Sequence, residues 1–348
     1  MRVAITATAQ GAWEETVDYV VEAERLGAEV CWSAEAWGSD AATPLAFLAA
    51  RTERMKFGTG IMQVGVRSPV MTAQTAMTLA RISGGRFLLG LGASGPQVME
   101  GLHGVRFDHP LGRMRETIEI IRLAFAGERI SYRGRHYELP LPGGQGKALR
   151  LSLPADDSIP IYLATLSPTM LRFTGEVADG WLGTSFVAEA AKTGFLDHLA
   201  AGAEKVGRTL ADLDLSQGAE VAFGDDLDAM VARRKPGLAF SLGGMGSATT
   251  NFYNDAYSRQ GWAEAADEVR RLWVEGRRDE AAARVPDEMV LATTLIGTED
   301  MVRDRLTAWQ DAGITTIRLY PAGAALDERL ATLGRAIELV RELEPPGR

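Results

Sequence analysis

Short apolar runs rich in β-branched residues alternate with helical stretches along almost the whole chain. No other feature limits the possible folds as strongly. Eight such runs stand out, at residues 3–8, 29–33, 56–62, 87–91, 160–164, 180–184, 215–223 and 314–320. Each is followed by sequence with helical signals. Thr43-Pro44 and Ser68-Pro69 each read as an N-cap with proline in the first turn. Met114, Ile118, Ile121 and Phe125 recur at helical spacing, as do Leu330, Leu333, Ile337 and Val340 near the end. Strands separated by helices pair in parallel through right-handed crossovers. Eight such units fit a closed (β/α)8 TIM barrel better than an open sheet of five to seven strands. Two stretches break the rhythm. Residues 127–158 hold a hairpin-like segment at 130–139 and a Gly/Pro-rich tail, and residues 238–292 hold extra helices around Gly243-Gly244-Met245-Gly246. Both read as insertions, so the expectation is a single domain over 1–348.

Composition narrows the class of function. A net charge of −9 leaves too few clustered cations for a phosphate backbone, which argues against nucleic acid as a partner. The one cysteine, Cys31, excludes an internal disulfide framework. No run has the pattern of a secretory signal, and no apolar stretch approaches the ~20 residues of a membrane-spanning helix. The expectation is a soluble cytoplasmic protein with no membrane partner.

Gly90-Leu91-Gly92-Ala93-Ser94-Gly95 fits G-x-G-x-x-G and follows the fourth strand. A dinucleotide fingerprint would belong to the first βα unit, open directly into a helix and carry an acid about 20 residues on. Here three units precede the motif, Pro96 follows it, and Asp108 comes too soon. Two readings remain. One is a loop whose backbone approaches a ligand closely at the C-terminal end of a barrel strand, and the other is a tight turn with no ligand.

At these residues the chain resembles the luciferase-like monooxygenase superfamily, and within it the branch that binds the deazaflavin coenzyme F420. The resemblance runs over almost the whole chain. It is densest in Phe57-Gly58-Thr59-Gly60-Ile61, in Gly84-Gly85-Arg86-Phe87-Leu88-Leu89-Gly90-Leu91-Gly92 and in Ser94-Gly95-Pro96-Gln97-Val98-Met99-Glu100-Gly101. Ala178-Asp179-Gly180-Trp181, Asn251-Phe252-Tyr253-Asn254 and Val285-Pro286-Asp287-Glu288 extend it. It implies a bulge with a non-proline cis peptide at Gly60–Ile61, on which the deazaflavin ring rests, with Met62 and Gln63 flanking the ring. It further implies a wall around the ring made by Gly92, Ala93, Ser94, Gly95, Pro96, Gln97 and Val98. Ala164, Thr165, Leu166 and Ser167 match the segment that holds the phosphate region. Their two hydroxyls and the start of a helix at Pro168 suit an anion on physical grounds alone. Leu166 departs from the glycine that can occur in relatives.

The resemblance places an acid/base candidate at Glu35, after the second strand, against the reading of a solvated loop glutamate. Some relatives follow that acid with histidine, whereas Ala36 follows it here, so their proton path does not carry over. Trp37 and Thr184 are candidates to line the substrate, each against a plain packing or strand-end role. His103 lies near the cofactor loop, with a structural loop histidine as the alternative, and the other histidines have no metal-ligand spacing. Cys31 reads as a core residue. The expected activity is F420-dependent hydride transfer to or from a small organic substrate, either reducing an enone- or imine-type bond or oxidising an alcohol. The alternatives are an FMN-dependent monooxygenase and a non-catalytic deazaflavin carrier. Relatives of this family imply a homodimer.

Overall fold

The structure is a computed structural model, and it describes residues 1–246 and 250–343. Residues 247–249 of the second insertion and 344–348 of the expected domain lie outside the described residues.

All eight expected strands form, and we label them in chain order: β1 (Arg2–Thr6), β2 (Val30–Ser33), β3 (Lys56–Thr59), β4 (Phe87–Gly92), β5 (Ile161–Ala164), β6 (Gly180–Leu182), β7 (Asp214–Phe223) and β8 (Thr316–Pro321). The hydrogen-bonded order runs from β1 to β6 in sequence, and β7 pairs with β6 and with β8, which pairs with β1. This is the order of a (β/α)8 barrel. Two short strands join the same sheet: Met62–Gln63 beside β4, and Leu295–Gly297 beside the end of β7. The second was not expected, because three residues are too few for a periodicity to show.

The chain divides into two compact units. One holds β2 to β5 with residues 7–17 and 30–164. In it, Trp32 meets Tyr162 edge-on at 5.2 Å although their strands are not neighbours, so both side chains point to the inward face. A Cβ on Gly58 would stand 2.2 Å from the Trp32 ring, which is why glycine is required there. The other unit holds β1 and β6 to β8 with residues 1–6, 18–29 and 165–348. Its satellite core gathers Leu238, Leu242, Tyr257, Val269, Leu272, Met289 and Val290, so the second insertion carries a packed helical core of its own.

Helix starts follow local chemistry. Ser68 accepts the Met71 N–H at 3.2 Å and opens the helix Pro69–Ile82, as its sequence predicts. The Thr43-Pro44 start is corrected: the helix begins earlier, at Ala42. The Asp40 carboxylate accepts the N–H groups of Ala42 (3.0 Å) and Thr43 (2.8 Å), and so takes the capping role from Thr43.

The first insertion contains the expected hairpin, Tyr132–Arg133 against Glu138–Leu139. Glu116, on the helix Pro110–Phe125, holds its turn by accepting the N–H groups of Arg135, His136 and Tyr137 at 2.7 to 2.9 Å. Burial works to raise the Glu116 pKa, but the three N–H groups outweigh it and leave the carboxyl below the usual glutamate range. A depressed folded-state pKa means the stabilisation is present above the unfolded value and is lost as pH falls through the folded one. Amide exchange at residues 134–137 is therefore expected to accelerate as pH drops below the ordinary glutamate range, after correction for intrinsic rates. Glu116→Ala is expected to show the same loosening at neutral pH, at a cost of about 1–3 kcal/mol in thermal or denaturant unfolding.

Candidate functional site

The first unit places the bulge after β3 between the loop after β2 and the end of β4. The peptide Gly60–Ile61 is cis, as the resemblance implies. Gly60 N–H donates to the Ser33 carbonyl at 2.7 Å, and Val64 N–H to the Gly92 carbonyl at 2.9 Å. The register pairs Gln63 with Gly92, and Gly92 in turn with Ala164. A Cβ on Gly92 would come within 2.8 Å of Ile61 Cγ1, so this close approach admits only glycine. Gly60 lies similarly against Trp32, where a Cβ would sit 3.2 Å from the Trp32 Cβ. Gly60, Ile61, Met62, Gln63, Gly92 and Ala164 are thus brought together.

Glu35 is not a solvated loop residue. Its side chain is only 9% exposed and makes an ion pair with Arg67 at 2.6 Å, with a second contact at 2.7 Å. The same carboxylate accepts the N–H groups of Ala41 (3.2 Å) and Gln63 (3.3 Å), while Glu35 N–H donates to the Ile61 carbonyl at 3.1 Å. Glu35 therefore grips the bulge on both sides of Met62. Its side-chain partners are one guanidinium and two backbone amides, all of them donors, so both carboxylate oxygens are engaged as acceptors. Arg67 completes this arrangement and went unread in the sequence, since it lies 32 residues from Glu35.

The loop after β4 turns at Ser94, whose φ of 62° is unusual for a residue other than glycine. Gly95 then accepts N–H groups from Val98 and Met99, and a short helical turn, Gln97–Leu102, follows. Behind the loop, Ala93 and Met99 border a small open cleft also lined by Asp108 and Arg113, which pair at 2.8 Å. The Gln63 amide is buried with neither its oxygen nor its nitrogen bonded. Such an orphaned donor–acceptor pair marks a place for an absent polar group.

In the second unit, Ser167 caps the helix Pro168–Val177 by accepting the Met170 N–H at 3.4 Å. The Thr165 hydroxyl is spent on Thr174 at 2.7 Å, so of the two expected hydroxyls one is turned inward. The Leu166 carbonyl accepts from Arg259 at 2.5 Å, and the buried Arg259 Nε has no partner. Arg259 is a cation near this segment that no local motif disclosed. Thr184 is half-buried just past β6. Trp37 is 63% exposed and His103 is exposed, while Cys31 is fully buried and burial pushes its thiol pKa up.

Glu35→Ala would leave the Arg67 charge and two N–H groups without their acceptor. For a pair that is only partly buried, the expected loss is about 2–3 kcal/mol in denaturant unfolding. Glu35→Gln is expected to fall between this variant and wild type, since it keeps an acceptor oxygen without the charge.

Residues 1–316 match the sequence profile of the family described as luciferase-like monooxygenase. A Mycobacterium tuberculosis protein named as a proposed coenzyme F420-dependent oxidoreductase is 40% identical over 324 residues, 91% of this chain and 93% of that one. The 5,10-methylenetetrahydromethanopterin reductase of Archaeoglobus fulgidus is 28% identical over 92% of this chain and 93% of its own. Among solved structures, the coenzyme F420-dependent tetrahydromethanopterin reductase of Methanopyrus kandleri superposes with a TM-score of 0.77 at 24% identity, covering 97% of this chain and 96% of that one. With the profile match covering most of the chain and the barrel's strand order in place, this chain belongs to the luciferase-like monooxygenase family.

Proposed function

We propose that the protein is a coenzyme F420-dependent oxidoreductase that moves a hydride between the deazaflavin and a small organic substrate, reducing an enone- or imine-type bond or oxidising an alcohol. The observation that carries this reading is the 40% identity, over nine tenths of both chains, to the mycobacterial protein named for that activity.

The residues present fit the group. Gly92 lets Ile61 pack directly against the end of β4, and the unbonded Gln63 amide, paired in register with Gly92, offers a donor and an acceptor there. Gly60, Ile61, Met62 and Gln63 would support the ring, and Gly92, Ala93, Ser94, Gly95, Pro96, Gln97 and Val98 would wall it. Ala164, Thr165, Leu166 and Ser167 would hold the phosphate region, where the amides opening the helix Pro168–Val177 and Arg259 favour an anion. When bound, the deazaflavin supplies a carbon that carries hydride and reacts poorly with oxygen. The chain's own contribution is position. Glu35 and Arg67 keep the bulge in one conformation, so the surface under the ring is preorganised. We assign Glu35 to that task, because both its carboxylate oxygens are taken up by Arg67 and the amides of Ala41 and Gln63. Thr184 remains a candidate on the substrate side, and Trp37, largely exposed, would reach substrate only at the rim.

Two fluorescence titrations of the purified protein test the reading, one with F420 and one with FMN. Tight F420 binding with weak FMN binding is expected, and preference for FMN overturns it in favour of oxygen-dependent chemistry. Gly92→Val, which drives two methyl groups into Ile61, is expected to weaken F420 by at least about tenfold, or about 1.4 kcal/mol.

A further inference from the structure

Strands β6, β7 and β8 carry two faces of opposite character. On one, Leu215 sits beside Trp181, Gln217 beside Ile317, and Ala219 beside Leu319. Trp181 packs on Phe195, which belongs to the helical turn Lys192–Leu196, so this is the face covered by helices. Alternation along the strands puts the other row on the inward face, where barrel ligands bind toward the strands' C-terminal ends. That row pairs Ser216 with Thr316, Gly218 with Arg318, and Glu220 with Tyr320.

Arg318 stands out in this row. It is only 8% exposed. Its Nη2 donates to the Gly183 carbonyl, part of the peptide that leads into Thr184, and so the side chain reaches across β7. Gly218 lies under this crossing, where a Cβ would stand 2.7 Å from the Tyr320 hydroxyl. The Arg318 Nε is buried with no partner, and among the described residues no carboxylate pairs with the guanidinium. The acid nearest in register, Glu220, is held by Arg234 at 3.3 Å and Arg233 at 3.7 Å. Tyr253, from the second insertion, is largely buried with Tyr320 as a neighbouring phenol.

A guanidinium stays protonated at any ordinary pH. Burying it without a counter-charge is costly, and such a group persists where a ligand brings the missing anion. An unspent N–H on a planar cation also suits the oxygens of a carboxylate in direction as well as in charge. We propose that Arg318 anchors a carboxylate of the substrate on the inward face of β7 and β8, with the Thr184 peptide and Tyr320 at its sides, so that the protein acts on small organic acids. This rests on the oxidoreductase reading for what is done to the acid, but not for its binding.

Calorimetric titration of the full chain with two matched pairs, propanoate against propanamide and benzoate against benzamide, tests the proposal. At least one carboxylate is expected to bind at least about tenfold tighter than its neutral partner, or about 1.4 kcal/mol. Equal binding within both pairs, or no binding of either acid, overturns it without need of a variant. Arg318→Met and Arg318→Gln are each expected to erase the preference, and its survival in a variant whose melting curve shows it folded also overturns the proposal. Both variants are expected to bind F420 within about twofold of wild type, a change under about 0.5 kcal/mol. Loss of F420 affinity with the carboxylate preference intact would assign Arg318 to the cofactor and overturn the proposal. Failure of the wild-type chain to bind F420 would sink the oxidoreductase reading and leave the carboxylate comparison standing.

Discussion

A carboxylate removed from water must be met by charge or by hydrogen bonds, and in this protein that constraint fixes the geometry of the candidate site. Glu35 follows β2 and is nearly enclosed. Arg67, two residues before the helix Pro69–Ile82, supplies the charge, and the amides of Ala41 and Gln63 supply the remaining hydrogen bonds. These four positions lie on two separate connections, Glu35 and Ala41 between β2 and the helix Ala42–Ala49, and Gln63 and Arg67 between β3 and the helix Pro69–Ile82. Once the carboxylate is satisfied, the loops cannot move independently, and the Gly60–Gln63 bulge is held where Gly92 approaches Ile61. An exposed pair of the same residues would contribute little and would leave the loops free. The degree of burial turns an ordinary ion pair into a positioning device.

The glycines of the first unit act by the same logic, through absence of volume. Gly58 and Gly60 leave room for the Trp32 ring and its Cβ, and Trp32 reaches Tyr162 on the inward face. Gly92 leaves room for Ile61. In the sequence Gly92 falls in a match to G-x-G-x-x-G, whose common meaning is a phosphate turn. Here Gly92 lies within β4, and what it admits is close packing of its backbone against the Ile61 side chain.

How much of this was legible in the sequence follows from the range of each interaction. The eight strands showed because parallel strands covered on both sides read as apolar runs, and the Ser68 cap showed because capping acts within three residues. The hairpin-like segment at residues 130–139 was visible in the sequence, but its anchor, Glu116, was not: it sits at least 19 residues before the amides it binds. Arg67, 32 residues from Glu35, was hidden for the same reason, and Arg259 lies 93 residues from the carbonyl it binds. The Thr43-Pro44 signal misled because Asp40, three residues earlier, offered a stronger acceptor. Glu35 itself was found by resemblance, as an acid/base candidate, while the partners that suit it to positioning the bulge, Gln63 and Arg67, lie 28 and 32 residues away along the chain.

Arg318 left a sequence signal that a stricter reading of strands would have used. Its segment, Thr316-Ile317-Arg318-Leu319-Tyr320, places one cation among apolar residues in a strand that parallel pairing buries on both faces. Such a strand has no solvated side on which to place a charge, unlike an antiparallel edge. The cation must then face inward, and its charge must be met by a neighbour or by something that binds. Asp214 illustrates the first solution in the same unit, since it pairs with Arg2 at 2.7 Å and takes the Thr316 hydroxyl, closing the N-terminal end of the row with matched charges. Two residues further along β8, at Arg318, the matching acid is missing, and Glu220 beyond it is already held by Arg234 and Arg233. Charge is thus balanced within the protein at the end of the strands where barrels are structural and left unbalanced toward the end where they bind ligands.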